Sequence, residues 1–138
     1  MERFLGRYEP YFYALMRFIV GFLFMWHGTQ KMLGFPPPPA DRPAQALNAI
    51  SATAGTIELV CGALIMVGLF TGFAAFLSSG LMAFAYFMVH GLKAFLPIQN
   101  GGEAAVLYCF VFLYIASRGS GLLSLDSLIF RSDERAQR

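Results

Sequence analysis

Charged residues are scarce in this 138-residue sequence. Lys, Arg, Asp and Glu make up 13% of it, about half their usual share in a soluble domain. This scarcity excludes an ordinary soluble domain, and the ten Lys and Arg residues form no basic stripe of the kind that binds nucleic acid. With 57% hydrophobic residues and 15 Phe, the composition indicates a surface that faces lipid. We therefore predict an integral membrane protein whose first partner is the lipid bilayer.

Cysteine is also rare. Cys61 and Cys109 lie far apart in apolar runs, without the Cys-x-x-Cys spacing of redox, zinc or haem-attachment motifs. Free, buried thiols are the expected state. No nucleotide-binding loop or catalytic-serine motif is present either, so any chemistry must come from other side chains.

Four apolar runs approach the length that a membrane span needs, which is roughly 20 residues for a hydrocarbon core of about 30 Å. They cover residues 11–33, 52–70, 72–92 and 102–117. No charged residue occurs between Glu58 and Lys93, a stretch too long for one span, so a tight turn is expected at residues 68–72. The predicted fold class is an all-α integral membrane protein, built as a four-helix transmembrane bundle.

The distribution of Lys and Arg predicts the orientation of this bundle. Most of these residues belong to the terminal segments: Arg3, Arg7, Arg17, Arg118, Arg131, Arg135 and Arg138. The loops on the other side carry Lys31, Arg42 and Lys93. The positive-inside rule then places both termini in the cytoplasm. Arg17, inside the first span, is expected to extend its side chain to the lipid headgroups.

The sequence predicts one domain over residues 1–130, followed by a polar tail at 131–138. Within that domain, residues 122–130 are expected to form a short amphipathic segment on the cytoplasmic face. The loop after the first span contains four consecutive prolines at 36–39, which favour a stiff polyproline spacer. Residues 43–50 are expected to form a short helix on the membrane surface.

An internal repeat divides the chain into two halves. The segment Phe-Met-Trp-His-Gly at 24–28 is echoed by Phe-Met-Val-His-Gly at 87–91, and each is followed by a lysine, a proline and a glutamate. The spans that carry these segments run in the same direction. The repeat therefore predicts two helical hairpins that are related by an axis along the membrane normal, as in parallel transporter repeats.

Polar side chains converge on one depth, in the outer half of the predicted bundle. His27, Gln30 and Lys31 share a helical face because they are spaced i, i+3, i+4, and Glu58 enters from the same side. A carboxylate at that depth is costly unless it is neutral or paired. This cluster has two interpretations, a functional site and a polar network that only fixes the helix register. The candidate proton- and ligand-handling residues are His27, Gln30, Lys31, Glu58, His90 and Glu103.

Three ligands are chemically conceivable for this cluster. Two His and two Glu residues could hold zinc or iron, but the Glu-x-x-His pattern of di-iron bundles is absent, and no metal site is predicted. Haem held by His27 and His90 has no further support. A quinone-like or other amphipathic molecule is favoured, its head group hydrogen-bonded by His27, Gln30 or Glu58. Quinone is thus the one candidate cofactor.

Six segments resemble the DoxX family of small four-helix membrane proteins. They are RFIVGFLF at 17–24, WHGTQK at 26–31, ELVCG at 58–62, GLFT at 68–71, AYFMVH at 85–90 and GLLSLD at 121–126. The resemblance implies a bacterial inner-membrane protein, related to the DoxD-like subunit of a thiosulfate:quinone oxidoreductase. It also implies a membrane or periplasmic protein partner.

The expected function is that of a redox-associated subunit that handles a quinone or a small reactive species. Glu58 and His27 would handle protons, and Lys31 and Gln30 would orient the ligand. The main alternative is a non-enzymatic accessory or assembly subunit of a membrane complex. A small-molecule transporter is a third interpretation, which would need a dimer. The sequence does not decide whether the chain is itself an enzyme or forms a homo-oligomer.

Overall fold

The computed structural model describes residues 4–41 and 46–136, and every regular element in them is helical. The helices are α1 (Glu9–Leu33), α2 (Ala49–Val67), α3 (Thr71–Ala85), α4 (Pro97–Asn100), α5 (Glu103–Arg118) and α6 (Leu125–Ala136). A 3₁₀ turn at Gly6–Tyr8 precedes α1, and a π-helix at Tyr86–His90 prolongs α3. The prediction of an all-helical chain is confirmed for these residues.

Three helical stretches are long and apolar enough to cross a membrane: Gly6–Leu33, Ala49–Val67 and Thr71–His90. They correspond to the first three predicted spans. The fourth predicted span coincides with α5, which has 16 residues and extends over roughly 24 Å at 1.5 Å per residue. Since a hydrocarbon core measures about 30 Å, the role of α5 as a fourth span stays a prediction.

The start of α2 is set by a capping box. Asn48 Oδ1 accepts from the Ser51 backbone N–H at 2.9 Å, and Ser51 Oγ accepts from the Asn48 N–H at 2.8 Å. The helix therefore begins at Ala49, three residues before the predicted span. Residues 46–48 are not helical and residues 49–50 begin α2, so the described part of 43–50 contains no separate surface helix, and that prediction is wrong there. Residues 43–45 lie outside the described residues.

Two helix pairs form the bundle, α1 against α2 and α3 against α5, with α2 contacting α3 between them. Glycines allow the first pair to approach closely. A Cβ on Gly21 would lie 2.8 Å from the Gly62 carbonyl oxygen, and one on Gly28 would lie 2.7 Å from that of Gly55, so larger residues would separate the helices. The pairing agrees with two hairpins, while the symmetry axis between them stays a prediction.

Aromatic and aliphatic side chains fill the space between the pairs. Phe24 on α1 and Phe112 on α5 meet with ring centroids 4.6 Å apart, in the edge-on arrangement that aromatic pairs favour. Ile65 and Ile115 are fully buried in the same core. This core extends to the last turns of α2 and α5, where Ile65 and Ile115 lie.

The prediction that Arg17 reaches the lipid headgroups is wrong. Its side chain is buried, with 1% exposed, and its guanidinium donates to the carbonyl oxygens of Ile65 (2.6 Å), Met66 (2.9 Å) and Leu123 (2.7 Å). The last carbonyls of a helix have no partner within the helix and attract cations. Arg17 therefore caps the C-terminus of α2 instead of extending to the membrane surface.

Helix α6 attaches to the turn between α2 and α3, at what we call the turn end of the bundle. The Asp126 carboxylate accepts from the backbone N–H groups of Phe70 (2.9 Å) and Thr71 (3.3 Å), and the Asp126 N–H donates to the Gly68 carbonyl (2.9 Å). Helix α6 thus supplies the cap of α3. It continues to Ala136, beyond the predicted amphipathic segment and into the predicted polar tail. The opposite end, with residues 34–41 and 46–48 and the connection at 91–102 that contains α4, is the loop end.

Candidate functional site

A cavity of about 270 Å³ lies inside the bundle at the loop end, and we call it the core cavity. Helices α1, α2, α5 and the α3 segment with its π-helix all contribute to its walls. Four of the six residues singled out in the sequence line it: His27, Lys31, Glu58 and His90. The fold thus brings residues from α1, α2 and the π-helix to one cavity, with His27 itself exposed.

The centre of the polar lining is an ion pair between α1 and α2. Lys31 Nζ lies 2.6 Å from Glu58 Oε1, and Glu58 is buried, with 3% exposed. Its other oxygen, Oε2, is buried and has no hydrogen-bond partner among the described residues. A carboxylate oxygen without a donor in a low-dielectric interior is unfavourable. Glu58 therefore presents an unused acceptor beside the cavity.

The glycines that join α1 to α2 also position this ion pair. Gly28 and Gly55 stand one helical turn before Lys31 and Glu58, respectively. A Cβ on Gly55 would lie 3.0 Å from Lys31 Cβ, so the absence of a side chain there makes room for the lysine stem. Glu58 lies nine residues after Ala49, roughly 14 Å along α2. The close approach of the two helices brings Lys31 to a carboxylate well inside the bundle.

His90 enters the cavity wall from the last residue of the π-helix. The Gly91 N–H donates to the Tyr86 carbonyl at 2.7 Å, closing the wider turn. His90 Nδ1 lies 3.1 Å from the carbonyl oxygen of Asn100. Because a carbonyl only accepts, Nδ1 carries the proton and Nε2 is left as an acceptor. A π-turn inserts an extra residue into a helix, often at a functional site, and here it sets the direction of His90.

Asn100 holds the loop that positions His90, although it is not among the candidate site residues predicted from the sequence. Its buried side chain donates to the Ala94 carbonyl (3.0 Å) and to the Tyr86 hydroxyl (3.3 Å), and accepts from the Gly102 N–H (2.8 Å). The one available signal was the Asn-Gly-Gly sequence at 100–102, which is typical of turns. Asn100 is a positioning residue for the site.

Tyr108 is a further cavity residue that is not among the candidates predicted from the sequence. Its ring stacks on Phe112 with centroids 5.6 Å apart and planes 22° apart, and it meets the His27 ring edge-on at 6.4 Å. In the sequence Tyr108 is one of many aromatic residues in an apolar helix, so nothing distinguishes it. In the structure it gives the core cavity a flat aromatic wall, suited to a planar ring.

Two predicted site residues lie outside the core cavity. Gln30 Nε2 donates to the Pro36 carbonyl at 3.1 Å and so contacts the proline loop. Glu103 is exposed at the first residue of α5. Neither lines the cavity, although both lie at the loop end.

A second space, which we call the side groove, adjoins the core cavity between α2 and α3. It has a volume of about 600 Å³. Lys31, Glu58 and Met82 line both spaces. The rest of the groove is mainly apolar. The ion pair therefore lies between a small cavity that two histidines also line and a larger apolar groove.

The described residues contain no group of three or more His, Cys, Asp or Glu side chains able to hold a metal ion. The Lys31 ammonium occupies one oxygen of Glu58, and an ammonium beside a carboxylate disfavours a cation at the same place. Cys61 and Cys109 are both free thiols.

The helices and their internal polar site define a small helical membrane protein. The family model for DoxX matches residues 12–91, and the chain belongs to the DoxX family, as its six segments predict. It is 42% identical over 130 residues to an uncharacterized protein of Haemophilus influenzae, covering 92% of this chain and 97% of that one. A second uncharacterized protein of the same organism is 28% identical over 122 residues, covering 83% and 81%. No solved structure matches the chain.

Proposed function

We propose that this DoxX protein is a redox-associated membrane subunit that binds the head group of a hydroquinone in the core cavity. The observation that carries the proposal is the buried Oε2 of Glu58, an acceptor without a donor. His90, which lines the same cavity, supplies a second acceptor at Nε2 in its neutral form, because Nδ1 donates to the Asn100 carbonyl. Two acceptors on residues that line one cavity match a ligand with two O–H donors.

The proposed setting is the bacterial inner membrane, with residues 1–130 as one domain of four spans and both termini in the cytoplasm. The support for α5 as the fourth span is its burial: Phe112 and Ile115 are fully buried against the other helices. The support for the orientation is the excess of Lys and Arg in the terminal segments. In this arrangement the core cavity lies in the outer half of the membrane.

The chemistry of the site favours the reduced form of the ligand. A hydroquinone donates two O–H groups, whereas the carbonyl oxygens of a quinone only accept. Oxidation of the bound hydroquinone breaks two O–H bonds. One proton passes to the Glu58 carboxylate and the other to the His90 imidazole. The two electrons pass to an electron-transfer protein in the membrane or periplasm, which is the partner that the proposal requires.

The substitution Glu58→Gln tests this assignment. The Lys31 ammonium, which only donates, keeps the amide oxygen facing it, so the amide NH₂ takes the position of Oε2. An acceptor is thereby replaced by a donor with almost no change of shape. We expect the affinity for dimethoxy-methyl-hydroquinone to fall by about tenfold or more, since a hydrogen bond to a charged group contributes about 1.5 to 3 kcal/mol. The affinity of Glu58→Gln for the corresponding quinone should stay the same or rise, because the amide NH₂ donates and the quinone carbonyl oxygens accept.

The matched control is Glu103→Gln, which makes the same chemical change on an exposed carboxylate at the same end of the bundle. Titration calorimetry under anaerobic conditions, on protein in lipid nanodiscs, would measure both ligands. Equal affinity of wild type and Glu58→Gln for the hydroquinone would refute the proposal. If the wild type binds neither form yet co-purifies with a membrane partner, the accessory role that the sequence left open is favoured instead.

A further inference from the structure

The core cavity is too small for a whole membrane-soluble ligand. Its volume is about 270 Å³, whereas pockets for drug-sized molecules measure about 300 to 1,000 Å³. A single substituted ring fits this space, but a ring with a long hydrocarbon chain does not. Any chain attached to the head group must leave the cavity.

The side groove adjoins the cavity, with which it shares Lys31, Glu58 and Met82, and has the composition of a site for such a chain. It adds about 600 Å³, and beyond the ion pair its lining includes Ile50, Ala54, Leu81 and Phe84. Ile50 and Phe84 are exposed on the outside of the bundle. Since α2 and α3 belong to the stretches long enough to span a membrane, the groove opens sideways toward the acyl chains.

The ion pair lies where the two spaces meet. Lys31 and Glu58 line both of them, with the polar groups of His27 and His90 on the cavity side and apolar side chains on the groove side. An amphipathic molecule has the same order of parts, a polar ring followed by an apolar chain. The junction therefore fits the point at which the chain is attached to the ring.

We infer that the side groove holds the hydrocarbon tail of the ligand whose head group occupies the core cavity, and that this ligand enters from the bilayer between α2 and α3. This inference rests on the proposed function. It adds a substrate class, lipid-soluble molecules with a long chain, and it assigns specificity for the tail to residues of α2 and α3 that the head group does not touch.

The test uses two probes with the same head group: dimethoxy-methyl-hydroquinone without a tail, and its decyl derivative. The substitution Ala54→Phe fills the groove at a residue that lines the groove and not the cavity. Ala52→Phe is the matched control, the same change on α2 at a residue that lines neither space. Binding would be measured on the full chain in nanodiscs of phosphatidylethanolamine and phosphatidylglycerol.

We expect Ala54→Phe to weaken binding of the decyl derivative by about tenfold, which is within the range for overpacking a filled site. Binding of the tailless probe should not change, and Ala52→Phe should affect neither. The lipid already surrounds the free tail, so the loss reflects the fit of the chain in the groove and not its removal from water.

Equal effects of Ala54→Phe on the two probes, or no effect on either, would overturn the inference while leaving the head-group site intact. A phospholipid retained by the wild type and lost in Ala54→Phe, with decyl affinity unchanged, would also overturn it, because a lipid chain would then occupy the groove. Failure of the tailless probe to bind the wild type would instead refute the head-group site, and the inference with it.

Discussion

Replacing Arg17 with Met tests whether a buried guanidinium stabilises the turn end of the bundle. Arg17 donates three hydrogen bonds to backbone carbonyls, two at the end of α2 and one in the segment before α6. Met has a similar length and is apolar, so the substitution removes the donors while largely keeping the packing. The change in the free energy of unfolding then reports the hydrogen bonds.

The expected magnitude follows from which carbonyls lose their donor. The Ile65 oxygen also accepts from the Gly68 N–H at 3.2 Å, so it keeps a partner. The carbonyl oxygens of Met66 and Leu123 accept from the Arg17 guanidinium, so the substitution removes this donor from both. A carbonyl left without a partner costs about 1 to 3 kcal/mol, and relief from burying the guanidinium offsets part of this. We expect a net destabilisation of about 2 kcal/mol. Arg17→Lys should lose about half as much, because one ammonium replaces a forked donor.

Cys61 provides the assay. Its side chain is buried, with 5% exposed, so a thiol-reactive fluorophore labels it when the bundle opens. A Cys109→Ser background removes the other thiol. Labelling along an SDS titration gives the midpoint and the free energy of unfolding for each variant.

The control is Arg7→Met, since the exposed Arg7 guanidinium lies over the Tyr8 ring at 4.6 Å and does not enter the bundle. It should change stability by no more than about 0.5 kcal/mol. If Arg17→Met were as stable as Arg7→Met, or more stable than wild type, the cost of burying the guanidinium would equal or exceed the gain from its bonds. The capping argument would then be wrong.

Three further substitutions follow from the same geometry. Gly28→Ala should lower the free energy of unfolding by about 1 to 3 kcal/mol, because the added Cβ pushes α1 away from α2. The control Gly80→Ala should not destabilise the protein, since no atom lies within 4 Å of the added Cβ. Equal losses in the two variants would contradict the close approach of α1 and α2. Asp126→Ala should cost about 1 kcal/mol in the same titration because α3 loses its cap, and an unchanged midpoint would show that water replaces it. Asn100→Ala should speed amide hydrogen exchange over residues 91–102, and unchanged exchange would mean that the loop is held by other contacts.

The positions of the helices could be predicted from the sequence because they depend on local patterns. The lengths of the apolar runs predict the ends of the first three helical stretches to within about three residues. The glycine at 68, which is left-handed in the structure, marks the turn between the second and the third. The approach of Lys31 to Glu58 was predictable for the same reason, since both were assigned to one depth and the cost of an unpaired carboxylate requires a cation nearby. Depth along a helix can be counted from the sequence.

The direction of a side chain toward a distant backbone group could not be predicted in the same way. The sequence places Arg17 at the lipid headgroups because its carbonyl partners, in α2 and in the segment before α6, are 48 or more residues away. The π-helix that directs His90 and the Asn100 bonds that hold its loop have no periodic signature. Gln30 and Glu103 have the correct depth but point away from the cavity. The direction in which a side chain points around the helix axis depends on how the helices pack. This packing cannot be counted from the sequence in the way that depth can.

The two ends of the bundle distinguish a ligand site from a network that only fixes register. At the turn end, Arg17 and Asp126 satisfy otherwise unpaired backbone groups. The Nε of Arg17 has no partner among the described residues. Arg17 lines neither the core cavity nor the side groove. At the loop end, Glu58 has an unpaired oxygen beside a cavity that His90 also lines. If Glu58 only fixed the helix register, its unpaired oxygen would have no benefit, because an unsatisfied acceptor lowers stability. A register role predicts that Glu58→Gln destabilises the bundle. A ligand role predicts a loss of hydroquinone binding with an unchanged unfolding midpoint, and the two measurements on one variant separate them.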